Sequence, residues 1–388
     1  MVADIVYVDD EPEGLLKLAD AAHAGERFSE FTPPPPRAAE GVAAGANLWV
    51  FDFFNEEGQV QRPGLEGAMN GLSVFQQLRL LVGDARPPAI VVSNHLEQAL
   101  GTEVNPDRRH VLAEEVGVEW VAEKAPSKGD VVAEILAIAD AIAALRNAAL
   151  KLSAASAEDY IDTLATLALG LNVEAPWRRA AVRDIGEWRP PAWRTSNGSR
   201  RAARLTAELP VVPELRAARN IVTWMIRQVL PYPSFLVRDH QLAVKFGVQL
   251  ACLREALQAE TPFAKACEAC RYEGLLKDFD GRRWWIVGID AMEWDLPGDR
   301  AARSAALQEL FGAVPVQELD ILDPVIVSDA DLVETDDIAP MRECVRAVDE
   351  HFPAHAAAAW VRIEDAVAER ALAAKVVPED QGELKDRR

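Results

Sequence analysis

Asp4-Ile5-Val6-Tyr7-Val8-Asp9-Asp10-Glu11-Pro12 is a short apolar run that ends in a pair of carboxylates. Three later runs end in polar residues in the same way. Leu48-Trp49-Val50-Phe51 delivers Asp52, Ala89-Ile90-Val91-Val92 delivers Ser93, and Glu119-Trp120-Val121-Ala122-Glu123 delivers Lys124 with Pro126 close behind. Runs this short and this apolar suit strands covered on both faces of a sheet. Between them the apolar spacing becomes helical, over 13–24, 72–82 and 107–116, and again from about 128 to 152. A weaker strand is expected at 26–31. Strands alternating with helices give a parallel sheet with crossover connections. In such a sheet ligands bind outside the carboxyl ends of the strands. Three acids, a hydroxyl and an ammonium at four such ends converge on one pocket, suited to a divalent cation and a phosphoryl group.

Over roughly its first 145 residues the chain resembles the receiver domain of two-component response regulators. The likeness lies in motif order: the acid pair in Val8-Asp9-Asp10-Glu11-Pro12, Asp52 closing the third strand, Ser93 closing the fourth, and Lys124 ahead of Pro126 after the fifth. Asn70-Gly71 is similar to the helix-starting Asp-Gly of the family. Val121 stands where receivers usually carry an aromatic switch residue, with Trp120 one place earlier. The resemblance implies an α/β doubly wound, parallel five-stranded sheet of flavodoxin-like topology. It implies that Asp52 accepts the phosphoryl group as an aspartyl phosphate, and that Mg²⁺ is held by Asp9, Asp10, Asp52 and the main-chain carbonyl of Phe54. Lys124 supplies a compact positive charge and Ser93 a hydroxyl for the phosphoryl oxygens. The implied partner is a histidine kinase or phosphotransfer protein, and homodimerisation through the receiver is a further expectation.

Length and charge bound the rest. At 388 residues the chain has room for two or three domains. No apolar run approaches the ~20 residues of a membrane span, and residues 1–30 lack a basic, apolar leader, so no membrane partner and cytoplasmic residence are expected. Four cysteines, Cys252, Cys267, Cys270 and Cys344, are too few to read as a disulfide framework. The net charge of −21 argues against indiscriminate binding to phosphate backbones. The middle of the chain is net basic, however, while both flanks are acidic.

The expected organisation is a receiver over 1–150, a helical connector and Arg/Trp-rich linker over 151–212, a mostly helical region over 213–376 with a small β-hairpin, and a disordered tail over 377–388. Ser156 is placed to cap a helix at 157–170, with Asp159 closing a capping box. The 174–213 stretch reads as irregular, and its Arg/Trp-rich part, 177–204, suits single-stranded nucleic acid, an acidic protein face or docking on this protein's own receiver. Pro213 starts a helix to about 229. Helices at 239–246 and 249–259 around Gly247-Val248 resemble a helix-turn-helix, and strands at 271–277 and 282–289, carrying Arg282 and Arg283, form the hairpin as a potential wing. Helices follow at 299–311, 336–351 and 354–374. Trp284, Trp285, Trp294 and Trp360 read as core or interface anchors. Cys267-Glu268-Ala269-Cys270 reads as a structural thiol pair, with metal binding the alternative, and Asp329, Asp331, Asp336 and Asp337 as a solvated acidic loop.

Three functional readings stand side by side: a receiver relaying phosphorylation to an output or interaction domain, a winged-helix-like transcription regulator contacting DNA through 213–290, and a degenerate receiver serving as a scaffold. No Gly-rich phosphate loop, G-x-S-x-G or histidine pair at metal-ligand spacing points to a separate enzyme site. Slow self-dephosphorylation is the only turnover the resemblance implies.

Overall fold

The apolar runs pair side by side because their β-branched and aromatic residues need cover on both faces. The computed structural model describes residues 4–8, 12–30, 46–53, 71–82, 86–93, 108–124, 131–193, 213–279 and 281–385. Strands β1 (Ile5–Val8), β2 (Phe28–Glu30), β3 (Leu48–Asp52), β4 (Ala89–Ser93) and β5 (Trp120–Glu123) form one all-parallel sheet in the order β2-β1-β3-β4-β5. Each strand expected for this sheet forms.

Helices α2 (Gly71–Val82) and α3 (Arg109–Val116) cover one face, where Phe75, Leu78 and Leu112 pack with Val8, Phe51, Val91 and Val121. On the other side lie α1 (Pro12–Ala21) and the long α4 (Val131–Ala154). Helix α4 is apolar around most of its circumference because it packs against both the sheet and a later helix, α7 (Pro213–Trp224). Helix α5 (Tyr160–Leu167) follows α4, and Ser156 Oγ accepts the Asp159 N–H at 3.1 Å just ahead of it.

The chain divides into two compact units that do not follow its order. The first comprises Met1–Gly170, Arg189–Arg227 and Gly274–Asp280; the second comprises Leu171–Trp188, Gln228–Glu273 and Gly281–Arg388. Within the first, Phe279 packs edge-on against Trp120, with ring centroids 4.9 Å apart. Helix α7 runs on into a wider π-type turn, Met225–Val229.

Helices dominate the chain outside the parallel sheet. The second unit contains α6 (Arg178–Glu187), α8 (Asp239–Phe246), α9 (Leu250–Gln258), α10 (Pro262–Ala269), α11 (Ile286–Trp294) and α12 (Arg300–Phe311). Several local expectations give way here. The 178–187 stretch is a helix rather than irregular chain, since Ala181 and Ile185 fall on one buried face and the arginines on the others. The expected hairpin across 271–289 is cut short: Arg271 bridges Trp284 antiparallel, with the Tyr272 N–H donating to the Arg283 carbonyl at 3.0 Å, while Trp284–Trp285 (β7) also pairs with Leu236–Val237 (β6) and the apolar run after it coils into α11.

The expected helix over 336–351 gives way mostly to strands, and the one over 354–374 starts later, after a strand. Pro324–Ser328 (β8), Glu334–Pro340 (β9), Cys344–Ala347 (β10) and Ala359–Arg362 (β11) make a sheet in the order β10-β11-β8-β9. Alternating burial in Ala359-Trp360-Val361-Arg362 is the strand period that alanine-rich flanks conceal. The later part of 354–374 is helical as α13 (Ile363–Ala368) and α14 (Arg370–Lys375), and a 3₁₀ turn at Met341–Glu343 is the helical remnant of 336–351. Gln381–Lys385 forms α15, not a disordered end, because Leu384 joins the core beside Val345 and Val361. Of the tryptophans read as anchors, Trp284 and Trp285 are buried and Trp360 half-buried, but Trp294 stands exposed.

Candidate functional site

Strand register brings the polar strand-closing residues together. Asp52 ends β3 and pairs with Val92, Ser93 ends β4 and pairs with Glu123, and Lys124 follows β5 directly. Two main-chain bonds lock this rim: Phe53 N–H donates to the Val92 carbonyl at 2.8 Å, and Lys124 N–H to the Ser93 carbonyl at 2.8 Å. With β4 between β3 and β5, Lys124 must cross two strand spacings, roughly 9.5 Å, to reach Asp52. Its four-carbon stem and the Asp52 side chain close that gap between them, placing Nζ 2.9 Å from Asp52 Oδ1. The two side chains are only 10% and 11% exposed, and Ser93 lies buried on the strand they bridge.

A carboxylate and an ammonium this sheltered attract strongly, and each makes the other's burial tolerable. The pair is thus a sheltered carboxylate held against a sheltered cation. β1 ends at Val8, in register with Phe51, one residue before Asp52. Asp9, Asp10 and Phe54 lie outside the described residues, as do Asn70 and the 54–70 stretch. Among the described residues no group of three His, Cys, Asp or Glu side chains could hold a metal ion. Asp52 alone of the expected ligands is described, and its carboxylate is the hard oxygen donor that a small divalent cation takes.

At the opposite end of β4 and β5 lies a charge cluster that sequence reading missed. Glu119, just before β5, is buried; it accepts from Arg86 at 2.8 and 2.9 Å and from the Ala89 N–H at 2.6 Å, with Arg219 of α7 at 3.9 Å. Burial pushes its pKa up, but the Coulomb field and hydrogen bonds of Arg86, with help from Arg219 and the Ala89 N–H, prevail and hold it below the usual value. Arg219 also donates to the Arg86 carbonyl at 3.1 Å, and Arg227 donates to the carbonyls of Ala113 and Val118. The available signal was an acid standing directly against Trp120-Val121-Ala122, where no solvent-facing role fits.

In the second unit the helix pair around Gly247 forms as expected, with Gly247 left-handed at φ 70. Its contacts face inward. Arg254, the only cation on α9, is tied to Asp239 at 2.5 Å and to Asp336 at 3.0 Å, and Arg362 binds Asp337 at 2.7 Å. Asp329 caps its own turn, accepting the N–H groups of Asp331 and Val333. Arg283 is buried and donates to the Leu230 and Gly281 carbonyls, while Arg282 is exposed. His240, buried on α8, sits 2.7 Å from Glu334 of β9. Burial alone would lower its pKa, yet hydrogen bonds to Asp239 and Glu334 raise it to about 9. Cys267 and Cys270 are buried, and burial raises both thiols, Cys270 to about 11. The thiols are therefore neutral at ordinary pH. A scan against protein-family models returns no match for the chain, and a search of curated protein sequences returns no significant relative.

Proposed function

We propose that this protein is a response-regulator-like signalling protein that accepts a phosphoryl group on Asp52 from a histidine kinase or phosphotransfer partner. The observation that carries the reading is the 2.9 Å contact of Lys124 with Asp52 across β4, at the carboxyl ends of a parallel sheet ordered β2-β1-β3-β4-β5. That order is the flavodoxin-like one, whose ligand crevice opens where the strand order reverses, between β1 and β3. Asp52 ends one of those two strands, and Asp9 and Asp10 follow the other in sequence.

In the reaction an Asp52 carboxylate oxygen attacks the donor phosphorus. The bond from phosphorus to the donor nitrogen or oxygen breaks, its electron pair leaves with the donor, and an acyl phosphate remains on Asp52. Lys124 moves from pairing the carboxylate to pairing the phosphoryl oxygens, and the Ser93 hydroxyl is one strand away to donate to them. Asp9, Asp10, Asp52 and the Phe54 carbonyl would hold Mg²⁺, which when bound neutralises the crowded acids and the incoming phosphoryl charge. The output we assign to the second unit is protein interaction: Arg254 is sequestered by acids and Arg283 is buried, which takes both from the reach of a DNA backbone.

Wild type and Asp52→Asn, incubated with Mg²⁺ and acetyl phosphate and read by intact mass, test the reading. Wild type is expected to gain one hydroxylamine-labile phosphoryl group and Asp52→Asn none. Wild type that gains no phosphoryl group overturns the proposal in favour of a scaffold role, in which Asp52→Ala changes nothing.

A further inference from the structure

Gly71 opens α2, and its Cα hydrogen faces the main chain of the residue proposed to accept the phosphoryl group. A Cβ built at Gly71 would lie 1.9 Å from the Asp52 carbonyl oxygen, 2.8 Å from the Asp52 carbonyl carbon and 3.3 Å from Phe51 Cβ. Those neighbours are backbone and core, not the movable end of a long side chain. One turn later, Phe75 packs edge-on against Phe51 with centroids 5.6 Å apart, so the helix is pinned to the same strand at a second point. Helix α2 cannot retreat from Asp52 without breaking that contact, and Asp52 cannot retreat from α2 without leaving its register with Val92.

We propose that Gly71 is a positioning residue: its missing side chain lets α2 seat on the Asp52 peptide and so fixes the Asp52 carboxylate within bonding distance of Lys124. The inference rests on the phosphoacceptor reading for its consequence, though not for its geometry. A methyl group at this position forces the Asp52 peptide and the helix apart. The carboxylate then shifts from Lys124, and displacements of about 1 Å at a reacting atom cost up to ~100-fold in rate. Alanine is the better helix former at an unhindered position, so a loss here runs against propensity.

The test compares full-length wild type, Gly71→Ala and Leu78→Ala. Leu78 is a core residue of the same helix two turns past Gly71, and its truncation reports plain destabilisation. Two readouts are taken: the rate of phosphoryl uptake from acetyl phosphate with Mg²⁺, and reductive methylation of Lys124 measured by mass spectrometry against the exposed Lys151. Gly71→Ala is expected to lower uptake by about tenfold to a hundredfold and to raise Lys124 labelling several-fold. Leu78→Ala is expected to melt earlier with both site readouts within about twofold of wild type. If Gly71→Ala also melts earlier with uptake and labelling unchanged, Gly71 is merely structural and the inference falls. If wild type takes up no phosphoryl group yet Gly71→Ala exposes Lys124, the positioning stands and the phosphoacceptor reading fails. Should Gly71→Ala not fold, Phe75→Leu decides the matter, since loosening the second pin must also raise Lys124 labelling, and unchanged labelling overturns the proposal.

Discussion

Arg86 and Glu119 illustrate how differently two ion pairs of similar length act. Their side chains are 7% and 5% exposed, so the Glu119 carboxylate depends on Arg86 for charge and hydrogen bonds alike. Arg183 and Asp184 also meet, at 3.1 Å, but Arg183 is 69% exposed and water screens the attraction. Arg86→Met should therefore destabilise the first unit by about 3–5 kcal/mol. Arg183→Ala should stay within about 0.5 kcal/mol of wild type. Urea unfolding followed by tryptophan fluorescence measures both. Because the folded Glu119 pKa is depressed, its stabilisation is present above the ordinary carboxylate range and is lost as pH falls through the folded value. Asp52, Ser93 and Lys124 were legible one by one in the sequence because each closes an apolar run. Glu119 was not, because its partners lie at positions 86 and 219 and nothing local joins them.

At the scale of elements, the α8–β9 contact is a pH-dependent joint. His240 Nε2 meets Glu334, Gln241 Nε2 donates to the same oxygen at 2.6 Å, and Asp239 Oδ1 lies 3.6 Å from His240 Nδ1 while accepting the His240 main-chain N–H at 2.9 Å. Arg238 pulls the His240 pKa down less than these contacts raise it, and Arg254 is taken up by the far oxygen of Asp239. A folded pKa near 9 against an ordinary 6.5 makes the charged imidazole worth on the order of 3 kcal/mol. The sign follows from protonation: that stability is complete below about pH 6.5, declines between 6.5 and 9, and is gone above. His240→Gln should cost most at pH 6 and little at pH 10, read from urea midpoints of the two proteins across that range. Flat dependence of the difference on pH would refute the joint. The helix pair that carries His240 was legible from Gly247 and its flanking apolar spacing. The strand it meets was not, since Glu334–Pro340 is acidic and half-exposed and gains strand character only by pairing with β8.

At the scale of the molecule, the first unit recruits segments far from residues 1–155. Helix α7 buries Leu215, Ile221, Val222 and Trp224 and packs on α4, and Arg219 and Arg227 reach the far end of the sheet. A fragment ending at Ala155 loses that cover, with buried side chains each worth about 1.5–3 kcal/mol. It should aggregate or melt well below full-length protein in size-exclusion and thermal scans, whereas a free-standing domain over these residues would not. The sequence by itself determined the parallel sheet, its crossover helices and the order in which Asp52, Ser93 and Lys124 arrive at its rim. Those features follow from local periodicity and from chain order, which a linear reading contains. Only the tertiary structure decided that Lys124 spans β4 to meet Asp52, that Gly71 abuts the Asp52 carbonyl, that α7 joins the first unit, and that 324–362 pairs into a sheet. Each of these depends on contacts between residues distant in sequence, where burial and partner geometry outweigh the small local preferences of the chain.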